Sequence, residues 1–305
     1  MSTNIVTFYV QQYAKVLNEL VQQRTARLRR YCTEEKYVGL AGSPVEQVGA
    51  ISMQPVTGRY GPMQRVDAPT NRRWVYPSDY DLPQLFDNFD KLRLLIDPKS
   101  KFVRNAHYAA NRQYDDLIIA AVTGTAQTGV AGATAVTFPA ANQISVQQGA
   151  TAPTGLTVAK LRQMRMLLLQ NEALSEDLGD EGNPSEGLVC VAGARQLDNL
   201  LAEAQVVSRD FNDEPVLKEG HIMRFLGFEF VRSERLLKGT DDQAGTSTNV
   251  IAWQREGMHL GIWNDISTNI SRRNDLQSEP WQAYVYMTAG AARLEEPRVM
   301  ASWCR

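Results

Sequence analysis

The side chains best suited to proton transfer at neutral pH are three histidines, His107, His221 and His259. No two of them stand at HxH or HxxxH spacing. His107 falls in the middle of a helical pattern beside its apolar stripe, and the other two flank short extended runs, which favours structural roles. The chain contains no GxSxG, GxxxxGK[ST], GxGxxG or HExxH pattern. Its three cysteines, Cys32, Cys190 and Cys304, are far apart and odd in number. They support neither a zinc site nor a disulfide framework, and read as buried thiols in a reducing cytoplasm. The adjacent acids Asp115-Asp116 and Asp241-Asp242 do not face each other as a general acid–base pair on a helix would. The run Glu176-Asp177-Leu178-Gly179-Asp180-Glu181 could hold calcium through carboxylate oxygens, but it lacks the alternation of an EF-hand loop. A solvated acidic loop is the better reading. The expectation is a chain with no catalytic site, no cofactor and no metal site, and not an enzyme.

One cluster of another kind remains. Arg24, Arg27, Arg29 and Arg30 belong to a stretch of thirty residues with five basic side chains and one acid, Glu19. Such a cluster can neutralise phosphates without reading sequence. It lacks the interleaved aromatics of a base-stacking surface. Cations at the end of a helix also suit the helix dipole, so a purely structural reading stands beside it.

The elements that must position these residues are irregular. The apolar positions Tyr13, Val16, Leu17, Leu20, Val21 and Leu28 recur at helical spacing and predict a first helix. From about Glu35 to Pro77, glycines and prolines exclude a long helix, leaving extended runs near Gln47–Met53 and Asn71–Tyr76. Together they predict a long two-stranded arm. A lone hairpin is marginal in water, so either the rest of this chain or a neighbouring subunit must give it a surface. A second helix is expected over about Leu85–Ile96, ended by Asp97-Pro98. The strongest helical pattern runs from Ser100, read as its N-cap, to Val122, with Gly124 as its stop. Leu117 to Ala159 then holds no charged residue in 43 positions, with short strands expected at Val136–Phe138 and Gln143–Val146. Such a segment suits a surface that something covers, or a flexible loop.

The remainder alternates. Thr157 is expected to cap a helix reaching about Gln170, Leu188–Val191 to form a buried strand, and Ala194–Glu203 another helix. Strands near His221–Phe225 and Glu229–Arg232 meet at Gly227, and Val250–Trp253 is another. The last pair, Gln282–Thr288 and Arg293–Trp303, is joined by Ala289–Ala292. The whole has 305 residues, enough to bury roughly 75% of its unfolded surface. It is 43% hydrophobic, 22% charged and carries a net charge of −2, so no global field points to nucleic acid or membrane. No secretion signal is evident, and no apolar run approaches the ~20 residues of a membrane helix.

The order of these elements resembles the Hong Kong 97 capsid fold of tailed-phage major capsid proteins. The closest textual likeness is Asp90–Ser100 leading through Ala109–Ala121 to Gly124, with Asp97-Pro98 entering the long helix. The turn Phe225–Phe230 and the closing Gly290-Ala291-Ala292-Arg293 are also similar. The resemblance implies an α+β fold: an N-terminal arm over 1–33, an extended β-hairpin loop over 34–78, and a peripheral domain over 79–155 with spine helix 100–123. It further implies a mainly axial domain over 156–280 and C-terminal strands over 281–305 returning to the peripheral domain. Implied partners are copies of itself as hexamers and pentamers, packaged double-stranded DNA held non-specifically, a separate scaffolding protein, a portal and a decoration protein. No membrane is implied. The location is the virion capsid, assembled in the host bacterial cytoplasm. An interior-facing arm would place Arg24, Arg27, Arg29 and Arg30 near DNA. Residues 38–90 contain no lysine, so lysine–asparagine cross-linking from the loop is not expected.

Large side chains that bridge polar and apolar surface are enriched at interfaces, which selects Arg59, Tyr60, Arg65, Arg72, Arg73 and Trp74 of the hairpin as inter-subunit contacts. The competing readings are an encapsulin-like nanocompartment shell, an α/β enzyme with an unrecognised site, and a tail-tube or portal component.

Overall fold

The computed structural model describes residues 21–42, 46–55, 58, 65–86, 99–174, 188–203, 217–218, 221–222, 224–277 and 279–305. In chain order come β1 (Thr33–Lys36), β2 (Glu46–Val48), β3 (Thr70–Trp74), β4 (Ser78–Phe86) and the long helix α1 (Lys99–Thr123). The strands β5 (Ala126–Thr128), β6 (Thr134–Val136) and β7 (Gln143–Ile144) precede helix α2 (Val158–Gln170). Strand β8 (Leu188–Ala192) leads into helix α3 (Ala194–Leu201). Then follow β9 (Leu217–Lys218), β10 (His221–Ile222), β11 (Arg224–Phe225), β12 (Phe228–Arg232) and β13 (Lys238–Thr240). The long strands β14 (Thr246–Gln254), β15 (Met258–Arg272) and β16 (Trp281–Arg293) and finally β17 (Val299–Cys304) complete the chain. The chain divides into two compact units. One comprises Met1–Thr25, Asp79–Arg112 and Ile266–Met287, the other Ala26–Ser78, Gln113–Asp265 and Thr288–Arg305.

The larger unit is built on a mixed sheet in the order β11-β12-β8-β14-β17-β7, with β13 on β14. Strand β8, Leu-Val-Cys-Val-Ala, is buried at all five positions. A strand without a polar alternation must be covered on both faces. One face, carrying Cys190, Ala252 and Met300, packs on Leu161, Met164 and Leu168 of α2 and Leu200 of α3. The other carries Trp253, which is wholly buried and donates its indole N–H to the carbonyl of Tyr31 at 3.0 Å.

Helix α2 starts where expected, the Thr157 hydroxyl accepting the backbone N–H of Lys160. Lys160 itself lies on the buried side. Its ammonium donates to the carbonyls of Thr154, Gly155 and Trp303, each at 2.9 Å. A buried cation is costly unless its donors are met, and here carbonyl oxygens meet all three.

Several expectations need correction. Helix α1 begins at Lys99, so Ser100 lies inside its first turn and is not its N-cap. Gly124 does follow its end, with its N–H on the carbonyl of Ala120 at 3.0 Å. Leu85 and Phe86 belong to strand β4, and the rest of the second helix predicted over Leu85–Ile96 lies outside the described residues. The expected strand Val136–Phe138 stands instead at Thr134–Val136, and the next stops at Ile144. The closing strands are not joined at Ala289–Ala292, because β16 continues through them to Arg293 and the chain turns only after Leu294. The small residues serve close packing: a Cβ at Gly290 would run into the carbonyl oxygen of Tyr76.

Strand β1 pairs in parallel with the start of β15, Thr33 opposite His259. Thr33 Oγ1 lies 2.9 Å from His259 Nδ1 and the Tyr37 hydroxyl 3.0 Å from Nε2. Burial lowers the imidazole pKa, and the carboxylate of Glu35 opposes this without overcoming it. The folded protein therefore refuses a proton that the unfolded chain accepts below about 6.5. Stability is complete above that pH and declines as pH falls toward the depressed folded value. His259→Asn is expected to be less stable than the parent at pH 7.5 but to lose less on acidification. Urea denaturation of both between pH 7.5 and 5 checks this, and parallel pH curves would remove His259 as the cause.

Candidate functional site

The predicted arm is an antiparallel pair, with Glu46 opposite Arg72, Gln47 opposite Asn71 and Val48 opposite Thr70. Its base does not stand alone. Strand β3 pairs along its other edge with β5, which pairs with β6, giving a four-stranded sheet. Beyond that base, Val48, Ile51, Met53 and Val66 are exposed. Four apolar side chains left in water on one extension form a patch that a partner can cover.

The six hairpin residues divide. Arg59 and Tyr60 lie outside the described residues. Arg65 is exposed and ion-pairs with Asp67 at 2.7 Å. Arg72 pairs with Glu46 across the strands and sits over the Trp74 ring at 5.7 Å. Trp74 donates its indole N–H to the carbonyl of Gly129 at 2.7 Å. Arg73 is turned inward and only 4% exposed. It donates to the Leu294 carbonyl at 2.8 Å and to Glu296 at 2.5 Å. It ties β3 to its own chain, so it is withdrawn from the set of outward contacts; alternation along the strand turns it away from its neighbours.

The arginine cluster does not sit on an α-helix; Arg29 and Arg30 fall in a single 3-10 turn, Arg29–Tyr31. Residues 21–28 are bends and irregular backbone, and the earlier part of the predicted helix lies outside the described residues. The backbone groups that a helix would have used go elsewhere. The carboxylate of Asp115 accepts the N–H of Arg27 at 3.0 and 3.1 Å and of Leu28 at 3.0 Å. Asn111 donates to the carbonyl of Arg24, and Arg112 to that of Gln23. Arg29 is held by Glu34 and Asp265 and lies over Tyr114. Arg30 pairs with Glu229. Arg24 lies over the Tyr108 ring at 5.9 Å, and Arg27 donates to the carbonyl of Arg232 at 2.5 Å. Among the described residues, no carboxylate pairs with the guanidinium of Arg24 or Arg27.

The uncharged stretch is partly explained by its own fold. Val122, Ala126, Phe138, Ile144, Val146, Leu156 and Val158 are buried, whereas Val130 stands almost fully exposed between β5 and β6. Its start is held by Arg293, wholly buried, which donates to the carbonyls of Val122 and Gly124 at 2.8 Å each. Arg293 also pairs with Glu296 and lies over Phe138. Sequence reading named Asp115 only as one of two adjacent acids and Arg293 only in a closing motif, and gave neither its role of holding backbone groups. The signal available for Asp115 was an acid set among the apolar positions Tyr114, Ile118, Ile119 and Val122.

The adjacent acids separate as their spacing requires. Asp115 is buried and Asp116 pairs with Arg235, while Asp241 holds Arg305 and Asp242 accepts from Ser145. All three cysteines are buried, and burial pushes their thiol pKa values up. Among the described residues, no group of three His, Cys, Asp or Glu side chains is placed to hold a metal. The acidic run Glu176–Glu181 lies outside them.

The chain's similarity to known proteins is specific. The solved capsid of cyanophage P-SCSP1u is similar at a TM-score of 0.70 and 14% identity, over 100% of this chain and 95% of that one. The cyanophage Pam1 capsid gives 0.72 at 11% identity, over 100% and 97%. A structure from Mycobacterium phage Che8 gives 0.68 at 13% identity, over 97% of each chain. No curated protein matches. The family described as phage capsid protein matches residues 5–305. With an α+β fold of the Hong Kong 97 type and a family match over nearly its whole length, the chain belongs to the phage capsid protein family and is a structural protein of a phage head.

Proposed function

We propose that this chain is the major subunit of a tailed-phage head, assembling as hexamers and pentamers into a closed icosahedral shell around double-stranded DNA. The supporting observation is the hairpin β2–β3, whose Val48, Ile51, Met53 and Val66 are exposed among the described residues. Laid on a neighbouring subunit, they bury apolar surface worth roughly 25 cal/mol per Å². Arg65, Arg72 and Trp74, together with Arg59 and Tyr60, are the polar and aromatic residues of the same contact. Many such modest contacts, repeated by symmetry, close a shell. In this reading residues 79–155 and 281–305 serve the peripheral part and 156–280 mainly the axial part. Arg24 and Arg27 supply sequence-independent contacts to DNA. A separate scaffolding protein, a portal and a decoration protein complete the head, which assembles in the host cytoplasm.

Negative-stain electron microscopy tests this on the purified protein, alone and with a co-expressed scaffolding protein. Closed shells or flat hexamers and pentamers are expected. The double variant Ile51→Asp, Met53→Asp is expected to keep its circular dichroism spectrum and lose assembly, because both positions face water within the subunit. A small stable monomer from the parent in both preparations overturns the proposal. Shells filled with a defined protein cargo would instead mark an encapsulin-like compartment.

A further inference from the structure

Helix α2 carries Lys160, Arg162 and Arg165 and no acid. Lys160 is committed to the three carbonyls described above. Arg162 lies with Ala159 and Met166 on the side of the helix opposite the core residues Leu161, Met164 and Leu168. A groove of about 630 Å³ runs along that outer side, between the helix and Leu226 of the β11–β12 turn. Its apolar part is Met166, 40% exposed, with Leu169 and Leu226. Its charged lining is Arg162 and Arg165, with no acid. Arg165 donates to the Leu226 carbonyl at 2.6 Å, which ties the helix to the rim. Leu226 has a φ of 51°, at a turn position where asparagine or glycine is the unstrained choice. Strain of this kind collects at binding surfaces. Apolar side chains beside two cations and no anion select an acidic segment that carries an apolar residue.

This chain contains such a segment. Between Glu172 and Glu186 stand six acids and no lysine or arginine. Within them, Glu176-Asp177-Leu178-Gly179-Asp180-Glu181 sets one leucine between two pairs of acids. Positive and negative charge therefore fall in consecutive stretches of the sequence instead of being interspersed. The flanking residues Leu174 and Leu188 are both buried in the core cluster beneath α2. A copy's own segment would have to pass round the helix and back to reach the groove on its far side. The same segment of a neighbouring copy needs no such detour. In a ring of like subunits, a contact between two different surfaces repeats from neighbour to neighbour until the ring closes.

We propose that the groove on α2 receives the acidic segment 176–181 of the next copy in a capsomer ring. Leu178 packs against Met166, Leu169 and Leu226 while the acids face Arg162 and Arg165. This contact rests on the proposed assembly into hexamers and pentamers.

Two single variants of the full-length protein, Met166→Cys and Leu178→Cys, test it. Mixed, assembled and mildly oxidised, they are expected to give a disulfide-linked heterodimer, identified by mass, that neither variant forms alone. Arg162→Glu changes an exposed side chain and should keep the parent's circular dichroism spectrum. In sedimentation velocity it should assemble roughly tenfold more weakly, and adding Asp177→Arg to the same chain should restore part of the loss. If the parent forms shells but the heterodimer is absent, or Arg162→Glu assembles as well as the parent, this contact is overturned and the assembly reading stands. A parent that stays monomeric with and without a scaffolding protein overturns both. A link formed only within single chains of the double variant Met166→Cys, Leu178→Cys gives the groove to a copy's own segment and also overturns the proposal.

Discussion

Replacing Arg293 with methionine is expected to destabilise the subunit by about 3 kcal/mol or more, near the range for breaking a buried ion pair. The side chain is wholly buried and does three things at once. It fills the end of α1 by donating to the Val122 and Gly124 carbonyls, reaches the Val136 carbonyl at 3.3 Å, and pairs with Glu296. Methionine keeps much of the stem's volume but leaves those carbonyls facing an apolar group. Glu296 retains Arg73, which is why the loss stays near the lower end. Against a total stability of about 5–15 kcal/mol this is a large share. In urea the midpoint should fall with the slope unchanged. Arg293→Lys should be intermediate, since a compact ammonium cannot reproduce a planar five-donor fork. A loss below 1 kcal/mol for the methionine variant would show that water or local rearrangement satisfies those carbonyls.

The second large effect is local. Asp115→Ala removes the carboxylate that accepts the N–H groups of Arg27 and Leu28, and Leu28 is fully buried. Hydrogen bonds to a charged group contribute about 1.5–3 kcal/mol each, and buried donors without a partner add a penalty. The segment they anchor has little regular structure of its own, so the loss should appear as detachment there before global unfolding. Trypsin should then cut after Arg24, Arg27 and Arg29 at least tenfold faster than in the parent, with the rest of the chain surviving as one fragment. Mass spectrometry of the digest measures it. Equal cleavage rates would mean that packing alone holds the segment.

What the sequence made legible follows from locality. Helix α2 was readable because Thr157 and a stripe of leucines and methionines lie within a few turns of each other. Strand β8 was readable because five apolar residues between turn signals suit little else. Strand β15 was not, since its second half, Asp265–Arg272, is largely exposed and owes its extension to neighbouring strands. Ala289–Ala292 read as a joint because small residues are ambiguous: the same lack of bulk that permits a turn permits the close approach of the Tyr76 carbonyl. Leu85 sat at the edge of a helical pattern, yet β4 pairs it into a sheet. The outward character of the hairpin could be read from its missing core, but not the inward turn of Arg73, which depends on Glu296 far along the chain. Asp115 and Arg293 share this limit: each acts on backbone brought to it by tertiary folding, and local pattern does not record such partners.

The strand pairings that close the larger unit join Gln143 to Ala301 and Thr33 to His259. Contacts between such distant parts of a chain form slowly, because the entropy of closing the loop is lost before any pairing rewards it. Until those pairings form, the sheet has open edges and the apolar hairpin is already available to other chains. The subunit is therefore exposed to two competing second-order and first-order processes, premature association and completion of its own sheet. Their ratio depends on how fast new chains accumulate. Yield of correctly folded subunit should fall as synthesis rate and temperature rise, even where the finished particle is unaffected.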